Sequence, residues 1–411
     1  MQLLLCISEN QSRMPDHFGS DRGIVDSTPA PNLYRILCRV LGDKASEVEW
    51  ARLEVADWER LVYLALQEGV GPLLYWELRR DWPAGAPQAF QDCLKGEFYN
   101  SAAHNQLISR ELVRILQVLD AAQVPVIVLK GAALAASLYP DPALRPMGDL
   151  DLLVPIDGLP SAISAINLLG YRPEGPELWP GLSKWVACET NFDGGRMVPM
   201  HVELHWSLVG GQASRYRPEM AWFWGQARPW VNSTVRGASG NRSVALCLAP
   251  GAHLLYLAAH LALKHAGEQE RLVWYYDLYR LATAPGEAVD WPAILDKARG
   301  FRWSAALRAA LLGCVERFGW ALPDGVIERL EAEAPLHERL YLQRRAARRS
   351  RWQAERVELE TLRPLARLLL LLALLFPSPA YLRWRYRPRR EWLWPFYYLL
   401  RWMDVLGEAV K

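Results

Sequence analysis

Val126-Ile127-Val128-Leu129-Lys130-Gly131 and, further on, Arg145-Pro146-Met147-Gly148-Asp149-Leu150-Asp151-Leu152-Leu153-Val154 are the stretches that decide how this chain folds. The first is a short β-branched run between Pro125 and Gly131, the composition of a buried strand that ends in a tight turn. Residues 132–139 then predict a helix, stopped by Pro140 and Pro142. Residues 150–154 predict a second strand stopped by Pro155, and residues 161–169 a helix closed by Gly170. Residues 200–208 alternate in polarity and predict a third strand. Strands alternating with helices over residues 123–245 make an α/β core.

Period two along a strand puts Asp149 and Asp151 on one side, with Cα atoms about 7 Å apart. Buried together without a partner they would repel, and a divalent cation, which takes hard oxygen ligands, accounts for both. The plainer reading is a solvent-facing pair at a strand end. The third strand weighs against it. Met200, Val202, Leu204 and Trp206 share one face there, and His201, Glu203 and His205 share the other. Glu203 between two histidines suits a third metal-facing carboxylate; ordinary polar residues on a half-exposed edge are the alternative. At Lys130-Gly131, a glycine between strand and helix lets backbone amides approach a phosphate, the helix N-terminus favours negative charge, and Lys130 adds a cation. A glycine that only makes the turn is the alternative there.

Outside the core the chain changes character. Residues 1–31 read as a disordered polar leader, with Met14 as an alternative start and no apolar run of secretory-signal length. Residues 32–122 predict a helical N-terminal domain, since Trp58, Leu61, Val62 and Ala65, and again Ile108, Leu112, Ile115 and Leu119, fall at helical spacing. Residues 246–340 predict a second helical domain. Residues 341–411 carry 15 Arg and Lys against 6 Asp and Glu, with Trp and Tyr between the arginines, and predict a basic helical tail. Its longest apolar run, residues 368–376, is half of what a membrane-spanning helix needs. Two readings of the tail stand: a peripheral membrane contact through residues 363–402, or a helical subdomain with a basic solvated face. The whole chain has a formal charge of +2 and no RNA-reading signature, so nucleic acid is not expected as a partner. Six scattered cysteines without a CxxC pair predict free thiols in a reducing compartment. The expected location is cytoplasmic, with membrane-peripheral association as the variant that the tail allows.

Strand, glycine turn, helix, Asp-x-Asp strand and a lone acidic residue on a later strand resemble the layout of the polymerase-beta-type nucleotidyltransferase superfamily. More closely, the chain resembles an uncharacterised bacterial nucleotidyltransferase family with an LKG turn, an R…DxDLLV strand, an HxE/DxHW strand and a later helical H…R…W…D segment. The matching residues are Leu129-Lys130-Gly131, Arg145, Asp149 to Val154, His201 to Trp206, and His260 with Arg271, Trp274 and Asp277. The resemblance implies a small mixed-sheet core of α+β or α/β class between helical N- and C-terminal domains. It also implies metal-dependent transfer of a nucleoside monophosphate from an NTP to an acceptor that the sequence does not name. In that scheme Asp149 and Asp151 hold Mg²⁺ or Mn²⁺ against the phosphates, and Glu203 holds a second ion and helps activate the acceptor hydroxyl. Lys130, Gly131 and Ala132 bind the triphosphate, Arg145 neutralises the leaving pyrophosphate, and His201 and His205 complete the binding set. His260, Lys264, His265, Arg271 and Asp277 either close over the site or pack helices through an Arg–Asp pair. The chain departs from the superfamily at the turn, where Ala132 replaces the usual serine, and in a longer gap from glycine to aspartate. A non-catalytic nucleotide-binding or scaffold protein is therefore one alternative. A zinc-dependent hydrolase using His201, Glu203 and His205 is another.

Overall fold

The strands are β1 (Ile127–Val128), β2 (Asp149–Leu153), β3 (Arg172–Pro173), β4 (Glu189–Gly194), β5 (Met200–His205), β6 (Ala227–Pro229) and β7 (Leu246–Leu248). They form one mixed sheet in the order β3-β4-β5-β2-β1-β7-β6. The structure is a computed structural model and describes residues 32–230, 245–265, 270–284, 286, 288–347, 351–388 and 390–410. The leader at 1–31 lies outside the described residues. β2 runs parallel to β5 and β1 parallel to β7, whereas β1–β2, β3–β4, β4–β5 and β6–β7 are antiparallel. Sequence periodicity pointed to three of the seven strands. Those three are β1, β2 and β5; β3, β6 and β7 have two or three residues each, too few to show a period, and β4 is polar at nearly every position.

Before the sheet come α1 (Leu33–Leu41), α2 (Val55–Gln67), α3 (Gly71–Leu78) and α4 (Gln88–Ala121). Reciprocal hydrogen bonds between Glu54 and Asp57 cap the start of α2. The 34 residues of α4 span about 51 Å, and its two halves do different work. The first packs on α3, and the second buries Ile108, Leu112, Ile115 and Leu119 beneath the sheet. Within the sheet region lie α5 (Lys130–Ser137), α6 (Leu159–Leu168), α7 (Ser183–Val186) and α8 (Met220–Gly225). Gly170 closes the turn after α6 with φ +94°, a conformation glycine adopts without a steric cost. Leu150, Leu152, Val202 and Leu204 join α4 and α6 in one apolar core, and the sheet's other face carries the strands' polar residues beside Ile127 and Leu153, which enter a second core.

A helical layer follows: α9 (Pro250–His260), α10 (Leu272–Thr283), α11 (Trp291–Phe301), α12 (Ser304–Phe318), α13 (Val326–Glu333) and α14 (Leu336–Ala346). It shares a second core with α1, α2 and α3. α15 (Arg351–Thr361), α16 (Pro364–Leu375), α17 (Pro379–Tyr386) and α18 (Tyr397–Val410) end the chain. No single described helix is long and apolar enough to cross a membrane. The five described cysteines are free thiols, and Cys6 lies outside the described residues.

His253 of α9 is buried at 3% exposure, and its Nε2 has no hydrogen-bond partner among the described residues. Burial alone pulls its pKa down to about 4. The folded chain therefore keeps the ring neutral where the unfolded chain would protonate it near pH 6.5. The resulting stability is complete above that pH and is lost as pH falls through about 4, by up to about 3 kcal/mol. His253→Phe is expected to remove this part of the pH dependence, which urea denaturation of both proteins at pH 7 and pH 4.5 measures.

Candidate functional site

Strand register builds the site. On the parallel pair, Asp149 lies opposite His201 and Asp151 opposite Glu203. Neighbouring strands are about 4.8 Å apart, so Asp151 and Glu203 project side by side from the same face. The antiparallel pair β4–β5 adds Glu189 opposite His205, Asn191 opposite Glu203 and Asp193 opposite His201. One sheet face thus carries acidic and histidine side chains from three adjacent strands.

Positive groups fill the spaces between these carboxylates. Lys130 Nζ lies 2.6 Å from Asp151 Oδ1 and 3.3 Å from Glu203 Oε2. His205, fully buried, places Nε2 at 3.1 Å from Asp151 Oδ1 and 3.2 Å from Glu203 Oε2, and Nδ1 at 3.1 Å from Glu189 Oε2. Lys264 Nζ reaches both oxygens of Glu189 at 2.7 Å. It does so from a π-helical turn, Leu261–His265, that continues α9. Such a turn inserts a residue into the helical repeat and re-aims the side chains beyond it. Charge alternates from Lys130 through the pair Asp151 and Glu203, then His205, then Glu189, to Lys264.

The ionisation equilibria follow this packing. Burial pushes the Asp151 carboxyl up to about 6, aided by Asp149 and Glu203 and opposed by Lys130 and His205. Burial also opposes the charge on Glu203, but Lys130 and His205 outweigh it and hold that carboxyl well below the usual range. Glu189 is likewise drawn down to about 2 against burial by Lys264 and His205. Lys130 and His205 stay protonated well above their ordinary values, because the surrounding carboxylates overcome the cost of burying their charge.

Lys130 is also where the turn is strained. It takes φ +43°, a left-handed conformation that costs a side-chain-bearing residue about 1–2 kcal/mol. The helix starts at Lys130, earlier than the sequence suggested, and Gly131 and Ala132 form its buried first turn. Gly131 has no positive φ. A Cβ placed there would meet Met147 at 3.5 Å and Arg145 Nη1 at 3.7 Å, ordinary contacts.

The remaining expected residues are divided. Asp149 is half-exposed at the start of β2 and stands outside the set Asp151, Glu203 and His205, whose ligand atoms lie within 4.8 Å of one another. His201 turns to Asp193 and Glu174, at 3.0 and 3.7 Å. His201 and His205 are four residues apart on an extended strand, about 13 Å, whereas zinc holds its ligands at about 2 Å. The histidine pair that a zinc hydrolase needs is not formed. Arg145 directs Nε and Nη2 to Asp277 at 3.0 Å and Nη1 to the Pro146 carbonyl at 2.6 Å. Every nitrogen of its fork has a partner, and Tyr139 also donates to Asp277 at 2.5 Å. The expected Arg–Asp pair exists, but its arginine comes from the core and not from Arg271.

Residues 54–319 match a family described as uncharacterised nucleotidyltransferase. The chain belongs to this family. It is an enzyme of nucleotidyl transfer built on a mixed α/β fold. No curated protein matches it. Among solved structures it is similar to ANT(2")-Ia in complex with adenylyl-2"-tobramycin, at 15% identity over 49% of this chain and 97% of that one, with a TM-score of 0.30. It is also similar to an antigenic nucleotidyltransferase-like protein from Paracoccidioides brasiliensis, at 17% identity over 55% and 94%, with a TM-score of 0.30.

Sequence reasoning about this nucleotidyltransferase passed over Glu189. The signal was present as Glu189-Thr190-Asn191-Phe192-Asp193, which alternates in step with the polar face of β5. The Arg145–Asp277 pair is buried, so removing one partner leaves the other charge stranded. Asp277→Ala is expected to cost about 3–5 kcal/mol in chemical denaturation. The double replacement Arg145→Met with Asp277→Leu is expected to cost less, since no buried charge remains.

Proposed function

We propose that the enzyme moves a nucleoside monophosphate from an NTP to a hydroxyl or similar nucleophile on a small-molecule, peptide or protein acceptor. A divalent cation, Mg²⁺ or Mn²⁺, would be held by Asp151 and Glu203, with Asp149 at the half-exposed rim. The observation that carries this reading is the convergence of Asp151 and Glu203 from adjacent strands on one point where a positive group already sits. The donor set fits a hard cation, since both carboxylates offer oxygen. The buried Tyr256 hydroxyl of α9, within electrostatic reach of Lys130 and Asp151, has no hydrogen-bond partner among the described residues. That leaves a polar group over for a bound molecule.

When bound, the metal would lower the cost of charge developing on the phosphates. The chain's own residues do the rest. Lys130 and the first amides of α5 hold the triphosphate at a helix N-terminus. Packing does not require glycine at 131, which supports close approach of a ligand as its reason. Arg145, tied to Asp277 and beside Gly131, positions that turn and does not grip pyrophosphate. His205 and Glu189 fix the orientation of Asp151 and Glu203. The acceptor oxygen attacks the α-phosphorus, the bond to pyrophosphate breaks and the acceptor's proton leaves to solvent. Glu203, held ionised by Lys130 and His205, would help activate the hydroxyl through the cation it holds and not as a proton acceptor.

Incubating the protein and a cell extract with α-³²P-labelled NTPs and Mg²⁺ or Mn²⁺ tests this reading. Asp151→Asn and Glu203→Gln are each expected to lower labelling about a thousandfold. If Asp149→Ala/Asp151→Ala releases pyrophosphate as fast as wild type, the non-catalytic reading replaces this one. Gly131→Ala is expected to keep the wild-type melting temperature and to weaken NTP binding. Lys130→Met removes the ammonium that competes for the carboxylates. Mn²⁺ is therefore expected to raise the melting temperature of that variant more than that of wild type.

A further inference from the structure

The leucine-rich run of the tail is not packed away. Leu365, Leu368, Leu371, Leu372 and Leu375 of α16 are 37–63% exposed and fall on one side of that helix, while Ala366 and Ala373 on the other side are buried. On α18 and just before it, Phe396, Leu399, Leu400 and Met403 are 44–68% exposed, again at one-face spacing. Phe376 joins the two faces, its ring 5.7 Å from Trp402 and 6.1 Å from Tyr398. Hydrogen bonds fasten α18 to the end of α16: Arg401 to the Leu374 carbonyl at 2.9 Å and Trp402 to that of Leu375 at 2.8 Å. Ten of the 19 large hydrophobic side chains exposed among the described residues lie between 365 and 403. Exposed apolar residues scattered singly need no explanation, but a concentration of this size marks an interaction surface.

Its charge says what kind. Residues 363–402 contain eight arginines and one acidic residue. Arg363, Arg387 and Arg390 are exposed, and Arg383 lies 5.4 Å over the ring of Trp394. A second copy docking on this face by two-fold symmetry would bring like charges together. α16 and α17 together have the length and composition of a span but are bent by 49° at the break between them. That shape suits helices lying in the plane of an interface, with amphipathic Trp and Tyr rings at headgroup depth. We propose that α16, Phe376 and α18 form a platform that seats the enzyme on an anionic lipid bilayer, leucines entering the acyl boundary and arginines pairing with headgroups.

Flotation of the full chain with vesicles of phosphatidylcholine, with and without phosphatidylglycerol, tests the proposal. Wild type is expected to float with the anionic vesicles and about tenfold or more weakly with neutral ones. Leu368→Asp/Leu372→Asp on one helix, Leu399→Asp/Met403→Asp on the other, and Arg387→Gln/Arg390→Gln are each expected to reduce flotation about tenfold or more. Unchanged circular dichroism shows that a variant is folded, and the pairs on separate helices guard against failure of one. The proposal is overturned if wild type ignores anionic vesicles, if neutral vesicles bind equally, or if the folded variants float as wild type does. It is also overturned if wild type is a dimer that the apolar substitutions split while vesicles leave it untouched, which would assign the face to self-association.

Discussion

Parallel pairing of β2 with β5 sets Asp151 beside Glu203 below the surface, and two carboxylates at strand spacing are tolerated there only with positive charge between them. Much of the surrounding structure answers that demand. Lys130 accepts a left-handed backbone and delivers its ammonium to both acids. His205, beneath them, faces carboxylates from both ring nitrogens and so carries a proton despite complete burial. Its far side meets Glu189, which Lys264 neutralises in turn. Removing any member uncovers a charge on the next.

The same principle joins the sheet to the helical layer. Asp277 of α10 takes the guanidinium of Arg145 and the hydroxyl of Tyr139, both from the core segment between β1 and β2. Lys264 bridges from the π turn to β4. Arg345 of α14, itself buried, donates to the Lys264 carbonyl and pairs with Glu358 of α15. Buried ion pairs contribute little net stability compared with apolar packing, but each is geometrically demanding. Contacts of this kind hold α9 and α10 at one angle to the sheet, which an oily interface alone would leave free to slide.

Much of the strand chemistry was legible because a period of two survives in a short sequence. The two faces of β5 and the shared side of Asp149 and Asp151 follow directly from alternation. What escaped depended on distance along the chain or on local backbone geometry. Glu189 joins the cluster only through the hairpin to β5, and Lys264 arrives 75 residues after it, aimed by a turn that no apolar pattern announces. Arg145 looked free for a phosphate because its partner lies 132 residues downstream. The positive φ belongs to Lys130, although glycine next door was the natural place to look for it. The leucine run was readable as apolar but not as exposed, since composition does not say what covers a helix.

Strict alternation on β5 has an evolutionary consequence. Losing one residue inside Met200–His205 would move Glu203 and His205 into the apolar packing under α4 and bring Val202 and Leu204 round to the charged side. The bend at residues 195–199, between β4 and β5, carries no such burden. Insertions and deletions among relatives should collect at that bend and be absent from the strand, so gap positions in an alignment would trace the register without any structure.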